Sequence, residues 1–306
     1  MSLAGRHLSH RVAAEYGTGG RFGWQSATAY EEVGFLYKNI YWKNYKYITG
    51  SVIYMENVSD TEKTLKAKKP QIIGIDDVSD DIIIARYFTR EKLEILVDKQ
   101  ELWFANIEKF TDKKERTIPD GFFNNFTQAQ KSYYKKLHTL LDEKRKAYIS
   151  CWTKFDAENY ALWKIYDKCS NGACLITTVG KIKEALEKIR ADVIVTEVEY
   201  VDLEDRTKKY NLPWVIYESD TNSSMTRVRM TEKYKQKPYK FEQEIRFIIY
   251  DKAGNDGFGE KLDFAALIDR IVLSPFANDE EQNHTKDLLK KLFSEKIFEK
   301  SVIDDQ

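Results

Sequence analysis

Residues 241–250 read FEQEIRFIIY, and this stretch anchors the interpretation of the whole chain. Its alternation of charged and apolar residues predicts a strand, because side chains two positions apart share one face. Glu242, Glu244 and Arg246 would then line the same face. Since ionised groups seldom point into a core without a partner or a task, Glu242 and Glu244 are the first candidate catalytic residues.

A basic segment stands directly before this strand. Residues 227–240 contain six lysines or arginines and one acid. Cationic side chains attract phosphates and tyrosine rings offer stacking surfaces, so this segment is a candidate contact for a nucleic-acid substrate. The residues selected for this role are Lys235, Lys237, Tyr239 and Lys240. The alternative, which the sequence leaves open, is an ordinary solvated surface.

The composition indicates a folded, soluble protein. The 306 residues include 49 basic and 49 acidic side chains, so any attraction to nucleic acid or to a membrane must be local. Three cysteines are too few for a disulfide framework, and with four histidines they form no zinc-binding pattern. The sequence has no run of about 18 apolar residues and no apolar leader. We therefore expect a cytoplasmic protein that binds neither a metal nor a membrane.

The chain is expected to have two parts. Residues 1–75 form an extension in which aromatic and basic residues interleave, and residues 76–306 form the main domain. Hydrophobic periodicity in the main domain predicts strands over residues 81–88, 102–105, 147–153, 173–178, 193–200, 242–246 and 268–273. It predicts helices over residues 90–99, 126–146, 159–168, 179–190, 214–230 and 279–299. This order of elements predicts an α+β fold with a mainly antiparallel sheet and flanking helices.

Several motifs, in this order, resemble the bacterial domain-of-unknown-function family 2971 over residues 80–295. They are Arg86-Tyr87, Leu102-Trp103-Phe104-Ala105, Phe110-Thr111-Asp112-Lys113-Lys114-Glu115, Ser150-Cys151-Trp152-Thr153, Leu162-Trp163-Lys164-Ile165-Tyr166, Gly172, Glu242-Gln243-Glu244-Ile245-Arg246 and Ile271-Val272-Leu273-Ser274-Pro275. The family's turn usually reads Phe-Asn-Asp-Pro-Phe-Glu, of which this chain keeps Phe110, Asp112 and Glu115. Residues 1–75 fall outside the resemblance.

The order of these motifs is also similar to that of the ADP-ribosyltransferase superfamily. Members of that superfamily have a split sheet, with Arg or His on a first strand and the catalytic Glu on a late strand. The resemblance implies that Arg86 is the first element and that Glu242 and Glu244 form the late Glu-x-Glu pair. It leaves the middle element open between Ser150 and Tyr166, because the chain has no clear Ser-Thr-Ser motif.

The same resemblance implies NAD as a substrate and a role for each residue. Cleavage of the nicotinamide–ribose bond passes through an oxocarbenium-like state, which Glu244 would stabilise through the ribose 2′-hydroxyl. Glu242 would orient or deprotonate the acceptor, and Arg86 would bind the ribose or a diphosphate oxygen. Because neighbouring carboxylates repel each other, one of the two pKa values is expected to be raised. Three aromatic residues would hold the nicotinamide ring: Tyr87, Trp163 and Tyr166.

Three functions remain open at this point. The first is an NAD-consuming toxin or defence effector that modifies RNA or DNA and is neutralised by an antitoxin protein. The second is a metal-dependent nuclease, in which Glu244 and Arg246 would stand for a Glu-x-Lys motif, although Arg cannot give up a proton as Lys can. The third is a non-catalytic recognition module. Glu242 and Glu244 are also compatible with a structural ion network, in which Arg246 would support the carboxylates.

Overall fold

The computed structural model describes residues 71–73, 77–190, 192–218, 225–252 and 256–303. The predicted extension, residues 1–75, lies outside this part of the chain apart from the strand Gln71–Ile73. That strand pairs in antiparallel fashion with the strand Trp214–Glu218.

Strands and helices alternate along the described chain. The strands are β1 (Gln71–Ile73), β2 (Ile83–Phe88), β3 (Glu101–Asn106), β4 (Arg145–Lys154), β5 (Ala173–Thr178), β6 (Ile194–Glu197), β7 (Glu199–Val201), β8 (Trp214–Glu218), β9 (Met225–Arg229), β10 (Tyr234–Gln236), β11 (Glu244–Lys252), β12 (Gly257–Lys261), β13 (Arg270–Leu273) and β14 (Phe298–Glu299). The α-helices are α1 (Arg90–Lys99), α2 (Gln128–Lys144), α3 (Tyr160–Tyr166), α4 (Val179–Ile189), α5 (Phe264–Leu267) and α6 (Asp279–Leu289). Short 3₁₀ helices cover Ile107–Lys109, Asp120–Phe123, Lys237–Glu242 and Glu295–Ile297. None of the helices in the described ranges is both long and apolar enough to span a membrane.

The largest sheet is mainly antiparallel and is centred on β4. Its strands follow the order β12-β3-β4-β2-β5-β13-β14, while β11 pairs with β4 and also with β6. The pairing of β13 with β14 is parallel, and the other pairings described in this sheet are antiparallel. The predicted α+β fold with a mostly antiparallel sheet and flanking helices is therefore confirmed.

Two diverging strands share one edge of β4. β3 pairs with Tyr148 and Ile149, whereas β2 pairs with Thr153 and Lys154. Residues 150–152 lie between these two pairings, so β2 and β3 separate at this point. Along its other edge, β4 pairs with β11 from Arg145 to Thr153. This local split allows side chains from β2, β4 and β11 to surround one cavity.

The alternation within β11 directs its two faces to different surroundings. Ile245, Phe247 and Ile249 are fully buried in the main apolar cluster, which also contains leucines of α1 and α4. Because successive side chains in a strand alternate between faces, Glu244 and Arg246 point to the opposite side. Burial of each large apolar side chain contributes about 1.5–3 kcal/mol, so the core fixes the strand and thereby the charged face.

The predicted helix over residues 214–230 is wrong. The chain forms an antiparallel pair of strands there, β8 and β9, with Trp214 opposite Arg229. Both halves are rich in β-branched and aromatic residues, which favour strands. The sequence between them, SDTNSS at residues 219–224, is typical of turns, although those residues lie outside the described ranges.

The predicted helix over residues 279–299 is too long. α6 begins after a capping box formed by Asn278 and Glu281 and ends at Leu289. The chain then forms the 3₁₀ helix Glu295–Ile297 and β14, which pairs with β13. The N-terminal boundary was predictable because a capping box is a local sequence pattern, whereas the C-terminal boundary depends on a distant strand.

Candidate active site

Glu242 and Glu244 lie on different backbone elements. Glu242 ends the 3₁₀ helix Lys237–Glu242, and β11 begins at Glu244. Gln243, between them, adopts a left-handed conformation with a φ of 43°. The prediction that one strand contains both glutamates is therefore wrong at Glu242. A left-handed residue commonly ends a helical turn and redirects the chain, which is how both carboxyl groups reach the same place.

Lys235 joins the carboxyl groups of the two glutamates. Its ammonium nitrogen lies 2.5 Å from Oε2 of Glu242 and 2.5 Å from Oε1 of Glu244. It also lies 3.3 Å from Oε1 of Glu115. The sequence placed Lys235 among the candidate substrate contacts, whereas in the structure this side chain is only 8% exposed and lies between carboxylates.

Arg246 is fully buried and holds Glu244 against Glu115. Its Nε donates to Oε2 of Glu244 at 2.7 Å, and its terminal nitrogens donate to the two carboxylate oxygens of Glu115 at 2.9 and 3.0 Å. A planar guanidinium matches a carboxylate in this bidentate arrangement. Arg246 thus has the geometry expected of a supporting residue. We refer to Glu115, Lys235, Glu242, Glu244 and Arg246 as the carboxylate cluster.

Glu242 and Glu244, the two acids of the carboxylate cluster that line the cavity, have pKa values shifted in opposite directions. Burial raises the pKa of Glu242 to about 7, and the adjacent Glu244 adds to this rise against the opposing effect of Lys235. Burial also disfavours the ionised form of Glu244. Arg246, the hydrogen bond with Glu242 and Lys235 outweigh that effect and hold the pKa of Glu244 well below its usual range. One carboxylate therefore stays ionised while the other exchanges a proton near neutral pH.

Arg86 approaches the cavity from β2. Its Nη1 donates to the hydroxyl of Ser150 on β4 at 2.9 Å, and the indole nitrogen of Trp152 donates to the same oxygen at 3.3 Å. The rings of Phe88 and Trp152 lie 5.3 and 6.0 Å from the guanidinium carbon. Burial lowers the pKa of Arg86. Among the ion pairs of the described residues, none involves Arg86, so this cation is available to an anionic group.

The three predicted ring-binding residues occupy different positions. Tyr166, at the end of α3, donates from its hydroxyl to Oε1 of Glu242 at 3.0 Å. Tyr87 lines the cavity and packs edge-on against Trp163, with ring centroids 4.9 Å apart. Trp163 itself is fully buried and donates from its indole nitrogen to Glu158. Tyr87 and Tyr166 therefore face the cavity, while Trp163 supports Tyr87 from the core.

One cavity of about 140 Å³ brings most of these residues together. The predicted residues in its lining are Arg86, Tyr87, Tyr166, Glu242 and Glu244. Ser150 reaches the same place through its hydrogen bond to Arg86. The cavity thus combines two cations, Arg86 and Lys92, with two hydroxyl-bearing rings and two carboxyl groups of different acidity.

A second cavity, of about 350 Å³, lies beside the first. The two share Tyr87, Thr153 and Leu162 in their walls. The larger one continues along the segment before α3 and past the exposed ring of Phe241. Because their walls are shared, the two cavities offer adjacent binding spaces for an elongated ligand or for two reactants.

The other predicted substrate contacts lie on the 3₁₀ helix that carries Glu242. Lys237 and Lys240 are exposed. Tyr239 is half-buried, and its ring centroid lies 4.6 Å from the ammonium nitrogen of Lys235. The two exposed lysines therefore remain candidates for contact with a polyanion, whereas Tyr239 packs on the carboxylate cluster.

Glu115 is a part of the site to which the sequence assigned no role. It belongs to the segment of residues 110–115, which also contains Phe110 and Asp112. Asp112 accepts hydrogen bonds from the amide nitrogen of Gln236 at 3.1 and 3.2 Å, next to Lys235. The turn therefore binds both the segment containing Lys235 and, through Glu115, the guanidinium of Arg246. The available signal was the acid itself, since an acid that becomes buried requires a cationic partner.

Comparison with protein-family models gives no match to this chain. Comparisons with curated proteins and with solved structures give no match either. The chemistry of the cleft is therefore the basis on which a function can be proposed.

Proposed function

We propose that this chain is an ADP-ribosyltransferase-like enzyme that consumes NAD, and that it belongs with the domain-of-unknown-function family 2971 that it resembles. One observation carries the proposal. Arg86, Tyr166, Glu242 and Glu244, which the motif order selected from distant parts of the sequence, line the same cavity. A split beside β4 supports the likeness to the transferase fold, because it opens the sheet where Arg86 meets Ser150.

The two carboxyl groups suit the two halves of the reaction. As the bond between C1′ of the ribose and the nicotinamide nitrogen breaks, its electron pair leaves with nicotinamide and positive charge develops on the sugar. The ionised Glu244 stabilises that charge through the ribose 2′-hydroxyl. The acceptor then forms a bond to C1′ and gives its proton to Glu242, whose pKa of about 7 suits a general base.

The remaining residues bind and orient the dinucleotide. Arg86 has no carboxylate partner among the described residues, so its guanidinium binds a diphosphate or ribose oxygen. Tyr87 offers a ring backed by Trp163, and Tyr166 fixes the Glu242 carboxyl by a hydrogen bond. The adjacent cavity of about 350 Å³ gives room for the rest of the dinucleotide or for the acceptor.

We propose nucleic acid as the acceptor and a role as a toxin or defence effector. The exposed Lys237 and Lys240 support this choice, because they lie within five residues of Glu242 and attract phosphates. We also propose that an antitoxin protein neutralises it in the cell that makes it, and that it acts in the cytoplasm.

The nuclease alternative is the weaker one. It assigns metal-nuclease chemistry to Glu244 and Arg246, but Arg246 is fully buried and its donors are engaged by Glu244 and Glu115. In the described ranges, no group of three or more His, Cys, Asp or Glu side chains is placed to hold a metal ion. Metal-dependent strand cleavage is nevertheless scored in the experiment.

The test is incubation of the purified protein with adenylate-labelled NAD, together with RNA, single-stranded DNA or lysate, with and without Mg²⁺. We expect release of nicotinamide and transfer of label to nucleic acid. Glu244→Gln removes the group that stabilises the developing charge and should lower transfer by about 10²- to 10³-fold. Circular dichroism checks that the variant is folded.

Glu260→Gln is the matched control, because it makes the same change of side chain on another strand. Glu260 lies on β12, where its carboxylate pairs with Arg190 at 2.7 Å. This variant should leave label transfer unchanged. Full transfer by folded Glu244→Gln, or no NAD consumption by the wild type with any acceptor, contradicts the proposal. Strand cleavage that requires Mg²⁺ supports a nuclease instead, and binding of nucleic acid without chemistry supports a recognition module.

A further inference from the structure

The carboxylate cluster contains three acids and two cations. Glu115 contacts both cations: Arg246 at 2.9 Å and Lys235 at 3.3 Å. Glu244 also contacts both, with Arg246 at 2.7 Å and Lys235 at 2.5 Å. All five side chains are less than a tenth exposed. With every acid ionised, the cluster would carry one uncompensated negative charge.

Glu242 differs from the other two acids in its partners. Its cationic partner within the described residues is Lys235, at 2.5 Å from Oε2. Oε1 accepts a hydrogen bond from the hydroxyl of Tyr166, which is neutral. Burial of an unpaired charge is costly, and one proton removes that cost. The acid with the fewest cationic contacts, Glu242, is the place where this proton costs the least electrostatic energy.

Lys235 is the side chain that links this acid to the rest. Among the cations that the structure describes, its ammonium group is the one that contacts both Glu242 and Glu244. The parallel pairing of β10 with β7, which sets Lys235 opposite Tyr200, fixes its backbone. The ring of Tyr239 lies 4.6 Å from the ammonium nitrogen and shields it from water.

We propose that Lys235 is a positioning residue that holds Glu242 and Glu244 together as a pair sharing one exchangeable proton, with the proton on Glu242. Without Lys235, the two carboxylates would repel each other and the Glu242 side chain would lose its only cationic contact in the described structure. The role of Glu242 as the base that takes a proton from the acceptor, once it has released its own, rests on the proposed function. The position of the proton can be measured without turnover.

The charged and titratable groups around Glu242 come from several elements. Those that contact it or line the same cavity are Arg86 and Tyr87 of β2, Lys92 of α1, Cys151 of β4, Tyr166 of α3, Lys235 of β10 and Glu244 of β11. Tyr200 of β7 also lies beside the carboxylate cluster. Its hydroxyl oxygen accepts a hydrogen bond from the backbone N–H of Glu244. Burial raises the pKa of Cys151, Tyr166 and Tyr200, so these three groups stay neutral at physiological pH.

The test is a carbon-13 NMR titration of the full chain with labelled glutamate carboxyl groups, and Glu242→Gln assigns the Glu242 resonance. In the wild type, the Glu242 carboxyl should titrate near neutral pH, well above the ordinary value of a glutamate. In Lys235→Met, the midpoint should rise by about one pH unit or more, because a cation in contact is lost. Lys235→Arg keeps the charge, so its Glu242 midpoint should lie between those of the wild type and Lys235→Met.

Tyr166→Phe is the matched control, because it removes the other contact to Glu242 without changing a charge. It should shift the midpoint less than Lys235→Met does. An equal shift in both variants, an unchanged midpoint in folded Lys235→Met, or a wild-type midpoint at the ordinary glutamate value each overturns the proposal. The last of these outcomes does not depend on Lys235→Met, so the test stands even if that variant does not fold.

The same variants separate this proposal from the proposed function. If NAD is consumed, the pH profile of nicotinamide release should move in the same direction as the Glu242 midpoint in Lys235→Met. If the Glu242 midpoint shifts but the pH profile of nicotinamide release does not, Lys235 positions the two carboxyl groups but Glu242 takes no part in the reaction. Absence of NAD consumption with a shifted midpoint contradicts the transferase and retains the positioning role.

Discussion

The guanidinium of Arg86 donates a hydrogen bond to the hydroxyl of Ser150 across 2.9 Å, although 64 positions separate the two residues. The contact lies where β2 leaves β4. β2 pairs with β5 over its full length, but with β4 through Ile84 and Ala85. Arg86 therefore reaches across a gap in the sheet. Its guanidinium lines the cavity and forms no ion pair with the carboxylates of the described residues.

If the chain binds NAD as proposed, Arg86→Met should weaken that binding without lowering the stability of the protein. A hydrogen bond to a charged group contributes about 1.5–3 kcal/mol, so affinity should fall by at least about tenfold. Loss of a buried cation that has no ion pair in the described structure should leave the melting temperature equal or higher. Calorimetric titration with NAD and thermal melting measure the two effects.

Arg190→Met serves as the control for this prediction. Arg190 pairs with Asp192 and Glu260, so its removal should lower stability and leave NAD affinity unchanged. If Arg86→Met binds NAD as tightly as the wild type, Arg86 has no part in binding.

The pair formed by Arg246 and Glu115 should account for much of the stability of the site. Arg246→Met should reduce the free energy of unfolding by about 3–5 kcal/mol, because it leaves two buried carboxylates without this partner. Glu115→Gln should also destabilise the protein. Since the two residues are in contact, the double variant should lose less than the sum of the single losses. Urea denaturation measures all three, and strictly additive losses would contradict the coupling.

The acidity of Glu242 predicts a pH dependence of stability. Its pKa in the folded chain is about 7, raised from an ordinary value of 4.5. Between these two values the folded state keeps a proton that the unfolded state has released, so stability contributed by this group falls as pH rises through this window. Above pH 7 both states are ionised and the effect ends. The wild type should therefore lose melting temperature relative to Glu242→Gln as pH rises through this window.

The opposite behaviour of Glu244 does not obscure that comparison. Its pKa is held below the ordinary value, partly by the hydrogen bond with Glu242, so its contribution changes only at pH values below the window in which Glu242 titrates. The difference between wild type and Glu242→Gln therefore isolates Glu242. A difference that stays constant, or that grows in favour of the wild type with rising pH, is the contrary result.

Local patterns in the sequence were sufficient for much of the fold. The bounds predicted for α1 and β5, residues 90–99 and 173–178, match the structure. In α1, Leu93 and Leu96 share the buried face, as their spacing predicts. The strands β8 and β9 were missed because a hairpin of mixed residues also matches a helical period when the turn is not recognised.

Part of the cavity lining could be selected from the sequence, whereas Trp163 lies in the core and Lys235 lies between carboxylates. Motif order selected residues that do line one cavity, because each stands on a strand or helix with a clear local pattern. The sequence suggested the contact of Arg246 with Glu244 but not the one with Glu115, which lies 131 positions away and reaches Arg246 only in the folded chain. The bend at Gln243 was also missed, because a single left-handed residue leaves no periodic signal.

The conformation of Gln243 gives a further prediction. A left-handed residue costs about 1–2 kcal/mol unless it is glycine, and the cost is greatest for β-branched side chains. Gln243→Val should therefore be less stable than Gln243→Gly by about 1 kcal/mol or more. Chemical denaturation of the two variants measures the difference. Because Gln243 is exposed, the loss of side-chain contacts has little influence on the result. Equal stabilities would mean that the chain does not bend here.

The exposed lysines on the 3₁₀ helix give the last prediction. If Lys237 and Lys240 contact the phosphates of a single strand, reversal of both charges should weaken binding of a labelled single-stranded RNA. Each lost contact should reduce the slope of log affinity against log salt concentration by about 0.7. Fluorescence anisotropy at several salt concentrations measures that slope. Lys291→Glu with Lys296→Glu makes an equal change of charge at two other exposed positions and should leave the slope unchanged. If both double variants change the slope equally, the net charge of the protein controls the interaction, and Lys237 and Lys240 do not contact phosphates specifically.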